Sequence, residues 1–584
     1  VLKCNSVLPI GKNGIAGFTL MVTSLAAYST GQEVQKNELQ TRAETIKVNQ
    51  IAYLPSFQKI AVVPSTHANA FSIINVDTGA SVITKDLYKP NYWEPAHQAV
   101  KVADFSEIST PGTYKVTAEG TADSPKFTIS SNGFLSLHDS VLKAYYFNRA
   151  SIELKPEFAS DWHRPLGHPD NQVLVHHSAA NKQRPEGTVI ASQKGWYDAG
   201  DYNKYVVNSG ISTYTLLQAY QDFDEFYATR HGGIPESNNS TPDILDEVMW
   251  NLSWLESMQD PSDGGVYHKL TTKRFSGKVM PHEATAQRYV VQKSTGAALN
   301  YAAVMAKASR VYQSFPTFTS MAKRYRQAAI RAFEWALLNP YVIYQQPSDI
   351  HTGQYDDDDF TGEFAWAAAE LLLLTKEKKY LDKFNQFVAS PTVPSWQDTM
   401  ALSYISILVN GQTVLSTKDY ETLKARFLAF TNNIIESHET SAYRTAMLVD
   451  DFVWGSNSVA MNKAMVVIQA YRLTGDKRYL NAAVGLIDYV LGKNPTNYSY
   501  VTGFGSKSPM DPHHRQSYAD SVEKPIPGFL VGGPHAGKQD NCNYTGVQPA
   551  DTYLDDWCSY ATNEVTINWN APLVYVLAAL HNSQ

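Results

Sequence analysis

The stretch GWYDAGDYNKYV, Gly195–Val206, sets Asp198 and Asp201 three residues apart among aromatic rings, directly before an apolar helix-forming run. Acidic residues at a helix start usually cap backbone N–H groups and offset the dipole. That role accounts for one aspartate and leaves the second, and the rings, unexplained. Far along the chain, YLDDWCSYATNEVTINWNAPLVYVLAAL (Tyr553–Leu580) places Asp555, Asp556 and Glu564 ahead of another apolar helix. Glu564 stands between Asn563 and Val565. Partial burial there would raise its pKa and suit it to donate a proton, whereas a capping or surface role is the plainer alternative. A third segment, NYSYVTGFGSKSPMDPHHR (Asn497–Arg515), is a loop by its glycines, Pro509 and Pro512. It ends in His513, His514 and Arg515, fixed donors for hydroxyls or an anion. Adjacent histidines rarely converge on one ion, so no metal is assigned to it. Two carboxylate clusters with rings and a His/Arg loop suit glycosidic cleavage. One carboxylic acid protonates the departing oxygen, and one carboxylate activates water on the other face of the sugar. A separation of roughly 6.5–9.5 Å would mean inversion, and about 5–5.5 Å retention.

Two kinds of element must position these groups. Residues 45–131 read as short β-branched strands between turn residues: TIKVNQIAYL, KIAVVP, FSIINV, HQAVKVADF and GTYKVTA. They predict a small immunoglobulin-like sandwich. After Phe134 the apolar period becomes helical. In Asp243–Met258, Ile244, Leu245, Val248, Met249, Leu252 and Leu255 share one face, with Thr241 as N-cap and Pro242 at the first position. Further helices are predicted near Thr295–Tyr312, Glu363–Leu374, Val459–Leu473 and Tyr479–Leu491. The related segments LTKEKKYL (Leu374–Leu381) and LTGDKRYL (Leu473–Leu480) read as tight helix–helix turns. Recurring helical hairpins predict a toroid of helix pairs over residues 134–584, with the loops at one end building the site.

The chain of 584 residues is 43% hydrophobic and carries a net charge of −7, which leaves no basic face for nucleic acid. Its 35 Tyr and 11 Trp fit either an aromatic core or surfaces that stack on sugar rings. Cys4, Cys542 and Cys558 show no CxxC spacing. The last two could pair if the protein is exported, or remain free thiols. Lys3 and Lys12 precede the apolar run Gly14–Ala27, which resembles a signal peptide too short to span a bilayer, and Thr30–Glu44 reads as a linker. Secretion or a periplasmic location is therefore expected, with no membrane span and the oligomeric state open.

The three loops together resemble glycoside hydrolase family 9. WYDAGDY resembles its DAGD element, and SYVTGFGSKSPMDPHHR and YLDDWCSYATNEVTINWNA fit its two later motifs. DGGVYHKLTTKRFSG (Asp263–Gly277) and QRYVVQKSTGAALNYAAVMAKASRVY (Gln287–Tyr312) are also similar to it. The resemblance implies an (α/α)6 six-hairpin barrel behind the sandwich, and an inverting mechanism. It implies Asp201 as general base, Asp198 as the residue holding the attacking water, and Glu564 as general acid. Asp555 takes the acidic position of the last motif, and His513 and Arg515 bind substrate. Tyr197 and Tyr560 are expected to contact sugar as well. No cofactor is implied as required. A structural calcium occurs in the family, but no ligands are assigned here. Related proteins often carry zinc on two cysteines and two histidines near the start of the barrel. Here only His176 and His177 remain and no cysteine does, so no metal ligand is assigned.

The resemblance points to a β-1,4-linked oligo- or polysaccharide, with endoglucanase action as the leading expectation. An exo-β-glucosaminidase acting on chitosan oligosaccharides is the alternative. The acidic run Asp356–Asp359 could favour a cationic sugar or be an ordinary solvated loop. A catalytically dead carbohydrate-binding barrel is the alternative outside the enzymes.

Overall fold

The computed structural model describes residues 44–584, which belong to one compact body. The leader-like run and most of the linker fall outside the described residues. The first part is the expected sandwich. One sheet has the order β1 (Ala52–Tyr53), β8 (Phe127–Ile129), β7 (Gly112–Ala118), β3 (Ala70–Asn75), β4 (Ser81–Asp86). The other has the order β2 (Ile60–Val63), β6 (Gln98–Asp104), β5 (Asn91–Trp93). Alternation sends Phe71 and Ile73 of β3 and Tyr114 and Val116 of β7 inward. They meet Tyr53, whose ring stands edge-on to Phe105 and Phe127 at 5.1 and 5.0 Å.

The rest is a double ring of helices. In chain order they are α1 (Leu135–Phe147), α2 (Val206–Asp222), α3 (Asp243–Met258), α4 (Thr295–Tyr312), α5 (Thr319–Leu338), α6 (Thr361–Thr375), α7 (Lys378–Phe387), α8 (Met400–Asn410), α9 (Thr417–Thr440), α10 (Ser456–Thr474), α11 (Lys477–Val490) and α12 (Ile567–Asn582). Even-numbered helices line the inner ring and odd-numbered ones pack outside, with α12 closing the ring against α2. The inner helices are buried almost all round, which explains their run of Ala, Ser and Val and their weak amphipathicity. The two predicted turns lie between α6 and α7 and between α10 and α11. Each ends its first helix on a left-handed residue, Lys376 (φ 60°) or Gly475 (φ 73°). The expected cap of α3 is corrected. Pro242 holds the N-cap position and no side chain caps there, because proline occupies the position the threonine would need. Among the described residues, no helix is long and apolar enough to cross a membrane.

The inner helices begin at one end of the ring, and the long loops before them gather there. A small sheet lies among these loops, in the order β10 (Val189–Ile190), β9 (Val173–Val175), β13 (Tyr289–Val290), β12 (Lys269–Thr271), β11 (Lys204–Tyr205).

The sandwich braces this loop end. Trp93 packs 4.3 Å from the Tyr443 ring, and Asn49 donates to Asp488 at 2.8 Å. Gln50 reaches furthest. Its amide donates to the Asn497 carbonyl at 2.8 Å, and its Oε1 accepts from Ser506 Oγ and the Lys507 N–H at 3.0 and 3.1 Å. Gln50 thus holds the glycine-rich loop that leads to His513. Removing the Gln50 side chain breaks three partly buried hydrogen bonds, at about 0.5–1.5 kcal/mol each. Gln50→Ala is therefore expected to lower the melting temperature, read by circular dichroism or calorimetry.

Candidate active site

The DAGD loop and the C-terminal acidic segment are sewn together before either reaches solvent. The Asp198 carbonyl accepts from the Ile567 N–H and from Thr566 Oγ1, both at 2.9 Å. The Gly200 carbonyl accepts from Arg515 through its N–H at 3.2 Å and its guanidinium at 2.7 Å. His513 and Glu564 form a β-bridge, and the Glu564 carbonyl accepts from the Gly532 N–H at 2.9 Å. The glycine of DAGD is explained here, since a Cβ on Gly200 would lie 2.1 Å from the His513 carbonyl oxygen. Asp198, Asp201 and Glu564 therefore lie together at the loop end, close enough that their charges act on one another.

Each carboxyl is held differently. Asp198 is fully buried and accepts from Asn208 Nδ2 at 2.9 Å and the Tyr355 hydroxyl at 2.8 Å. Asp201 accepts from the Asn203 N–H at 3.2 Å, from Asn203 Nδ2, and from the Tyr205 hydroxyl at 3.4 Å. Burial raises the pKa of Asp201, opposed by the Arg515 guanidinium and the Asn203 donors. Burial, then the charge on Asp201, pushes Asp198 up to about 8. Glu564, only partly enclosed, is also pushed up to about 8, by desolvation and then by the Asp201 charge, with Arg515 opposing. The site thus holds two carboxylic acids that keep their protons at neutral pH, Glu564 and Asp198, beside Asp201, where donors and a cation oppose the rise that burial causes.

The other expected residues divide. His513 donates from Nδ1 to the Trp557 carbonyl at 2.7 Å and stacks on the Trp557 ring at 4.4 Å. Desolvation lowers its pKa to about 4, so the imidazole is neutral and its Nε2 is an acceptor. Arg515 is spent on the Gly200 and Ser276 carbonyls and braces the DAGD loop. Asp555 accepts from the Met510 and Asp511 N–H groups at 2.8 and 3.0 Å and from Asn563, organising the loop that carries His513. Tyr560 is partly exposed, with its ring 5.4 Å from the exposed Trp454. Tyr197 is the correction. It is fully buried, with its hydroxyl 2.8 Å from His168 Nδ1, and a ring with no accessible surface cannot stack on a sugar. Sequence reading missed Asn203, Tyr205, Asn208 and Tyr355. The first three follow DAGD closely, but nothing local singles out Tyr355 except the acidic run after it. That run is structural in part: Asp359 accepts from the Thr361 N–H at the start of α6. Cys542 and Cys558 form a disulfide beside Trp557.

Residues 134–577 match the profile of glycosyl hydrolase family 9. The chain belongs to that family. Residues 41–123 match the cellulase N-terminal ig-like domain. A xyloglucan-specific endo-beta-1,4-glucanase of Bacteroides ovatus is 42% identical over 92% of this chain and 94% of its own length. Among solved structures, a family-9 protein of the same organism superposes with a TM-score of 0.86 at 41% identity, over 92% of this chain and 98% of that one. A Zn-binding triple mutant of the family-9 endoglucanase J30 superposes with a TM-score of 0.86 at 28% identity, over 91% and 100% of the two chains. This chain is accordingly a glycoside hydrolase with an (α/α)6 barrel.

Ligand atoms of His176, His177 and Asp349 lie within 4.8 Å of one another. The residues do not fit zinc. The Lys273 ammonium sits 2.9 Å from Asp349, whose pKa it lowers to about 2, and His176 Nδ1 lies 3.0 Å from Ser178 Oγ. Asp349 is paired with an ammonium, and among the described residues no fourth ligand completes the cluster.

One outcome follows for the folded protein. Glu564→Gln melts higher than the parent at pH 8. The native state holds the Glu564 proton from the ordinary value of 4.5 up to about 8, so stability falls as pH rises through that window, and the glutamine removes the loss. The difference should vanish near pH 4 when melting is followed by calorimetry.

Proposed function

We propose that this family-9 hydrolase is an exported, inverting endo-β-1,4-glucanase acting on a xyloglucan-type substituted glucan. The observation that carries the chemistry is the nearness of Asp201 and Glu564, where the Asp201 charge helps Glu564 keep its proton while Arg515 and Asn203 oppose the rise at Asp201. Glu564 gives its proton to the glycosidic oxygen as the C1–O bond breaks. A water attacks C1 from the opposite face, and Asp201 takes its proton. Asp198, held by Asn208 and Tyr355, orients that water and accepts its second hydrogen bond. Each turnover leaves Glu564 ionised and Asp201 protonated, and exchange with solvent restores both. His513 Nε2 accepts from a sugar hydroxyl, and Tyr560 with Trp454 offers an apolar face to a ring. The 42% relative, xyloglucan-specific by name, supports the substrate class. The disulfide and the leader-like first residues support export.

Glu564→Gln and Asp201→Asn are each expected to lower kcat by about 10²–10⁴-fold with the fold retained. The kcat/KM profile of the parent should fall above pH about 8 as Glu564 loses its proton. Tamarind-type xyloglucan, carboxymethylcellulose and chitosan oligosaccharides, followed by viscosity and released sugars, separate the substrate readings. A rapid fall in xyloglucan viscosity supports the proposal, and single glucosamine units released from chitosan overturn it.

A further inference from the structure

Behind the catalytic aspartates lies a buried ammonium that the mechanism above does not use. Lys269 of β12 pairs in register with Tyr205 of β11 and has no accessible surface. Its Nζ donates to Gln346 Oε1 at 2.9 Å, to Thr352 Oγ1 at 3.1 Å and to the Gly353 carbonyl. It also lies 5.5 Å above the Tyr205 ring and 5.2 Å above the Tyr344 ring. All three acceptors belong to one loop, 344–355. That loop returns two contacts to the site: the Gly353 N–H donates to the Tyr205 hydroxyl at 3.1 Å, and Tyr355 donates to Asp198. The Tyr205 and Tyr355 rings lie 4.6 Å apart, and Tyr355 is held at a left-handed φ of 51°. Such a conformation persists only where its surroundings over-determine it.

Among the described residues, Lys269 makes no ion pair within 4 Å, and the carboxylate that favours its charged form is Asp201. Burial pushes it toward neutrality, down to about 7 with the Asp201 charge opposing. The groups acting on Asp201 from the surrounding elements are Asn203 and Tyr205 of its own loop, Asp198, Glu564, Arg515 and Arg288.

The geometry points to Lys269 as a positioning residue for hydrolysis: its ammonium nails the 344–355 loop to the β11–β12 ribbon, so that Tyr205 and Tyr355 hold Asp201 and Asp198, and its charge favours the ionised base. This rests on Asp201 being the base. The two parts of the role separate by substitution. Lys269→Met removes bonds and charge, Lys269→Arg keeps the charge, and Thr352→Val removes one bond and no charge.

The test is the pH profile of kcat and KM for the full chain and these variants on soluble xyloglucan oligosaccharides, with near-UV circular dichroism reporting the fold. Lys269→Met is expected to lose at least about tenfold in kcat with little change in KM, and its acidic limb to move up by about one pH unit, since losing a nearby cation raises a carboxylate pKa. Lys269→Arg keeps the limb of the parent. Thr352→Val lowers kcat without moving it. An acidic limb of Lys269→Met that coincides with the parent's overturns the proposal. Should that variant not fold, Lys269→Gln, which drops the charge and keeps a donor, carries the same comparison with the same overturning result. Asp201→Asn separates the two claims. If it stays active, the base assignment itself fails; if it is dead while the limb of Lys269→Met is unmoved, the base stands and the role of Lys269 falls.

Discussion

The structure depends on one joint, the pair of hydrogen bonds from Thr566 and Ile567 onto the Asp198 carbonyl, between residues 368 positions apart in the case of Thr566. One bond joins backbone to backbone and the other comes from the Thr566 hydroxyl, so the Asp198 carbonyl is fixed from two directions. It draws the start of α2 and the start of α12 together, closes the inner ring, and in the same act brings the DAGD loop to the acidic segment. Ring closure and site assembly are one event.

The joint also explains how three carboxyls come to sit together with little accessible surface. Each would resist ionising there, and together they repel. The fold answers with the Arg515 guanidinium, the side-chain donors Asn203, Asn208 and Tyr355, and the amide ends of α2 and α12, whose dipoles point their positive ends at the site. Enough opposition remains that Glu564 keeps its proton. A pocket fully compensated would hold three carboxylates and no acid.

Much of this was legible in the chain itself. The α3 and α4 spans emerge residue for residue from apolar periodicity, because a helix advertises its buried face locally. DAGD and the C-terminal glutamate stood out because acids among rings are hard to explain as core or surface. Strands β4, β5 and β8 of the sandwich escaped notice: β4 buries no residue, and β5 and β8 have only three residues each. Tyr197 was misplaced because adjacency to Asp198 says nothing about which way a loop residue turns. Tyr355 and Lys269 reach the site through loop-to-loop contacts, and no local pattern records those.

The order of the elements has a consequence for how the protein comes into being. The acid and the helix that closes the inner ring both belong to the last hairpin of the barrel, behind a loop that the sandwich at the front of the chain must grip. A nascent chain that has not yet released α12 carries the DAGD loop without the segment that fixes it. Assembly of the carboxyl cluster is thereby postponed until α12 packs against α2 and the inner ring closes.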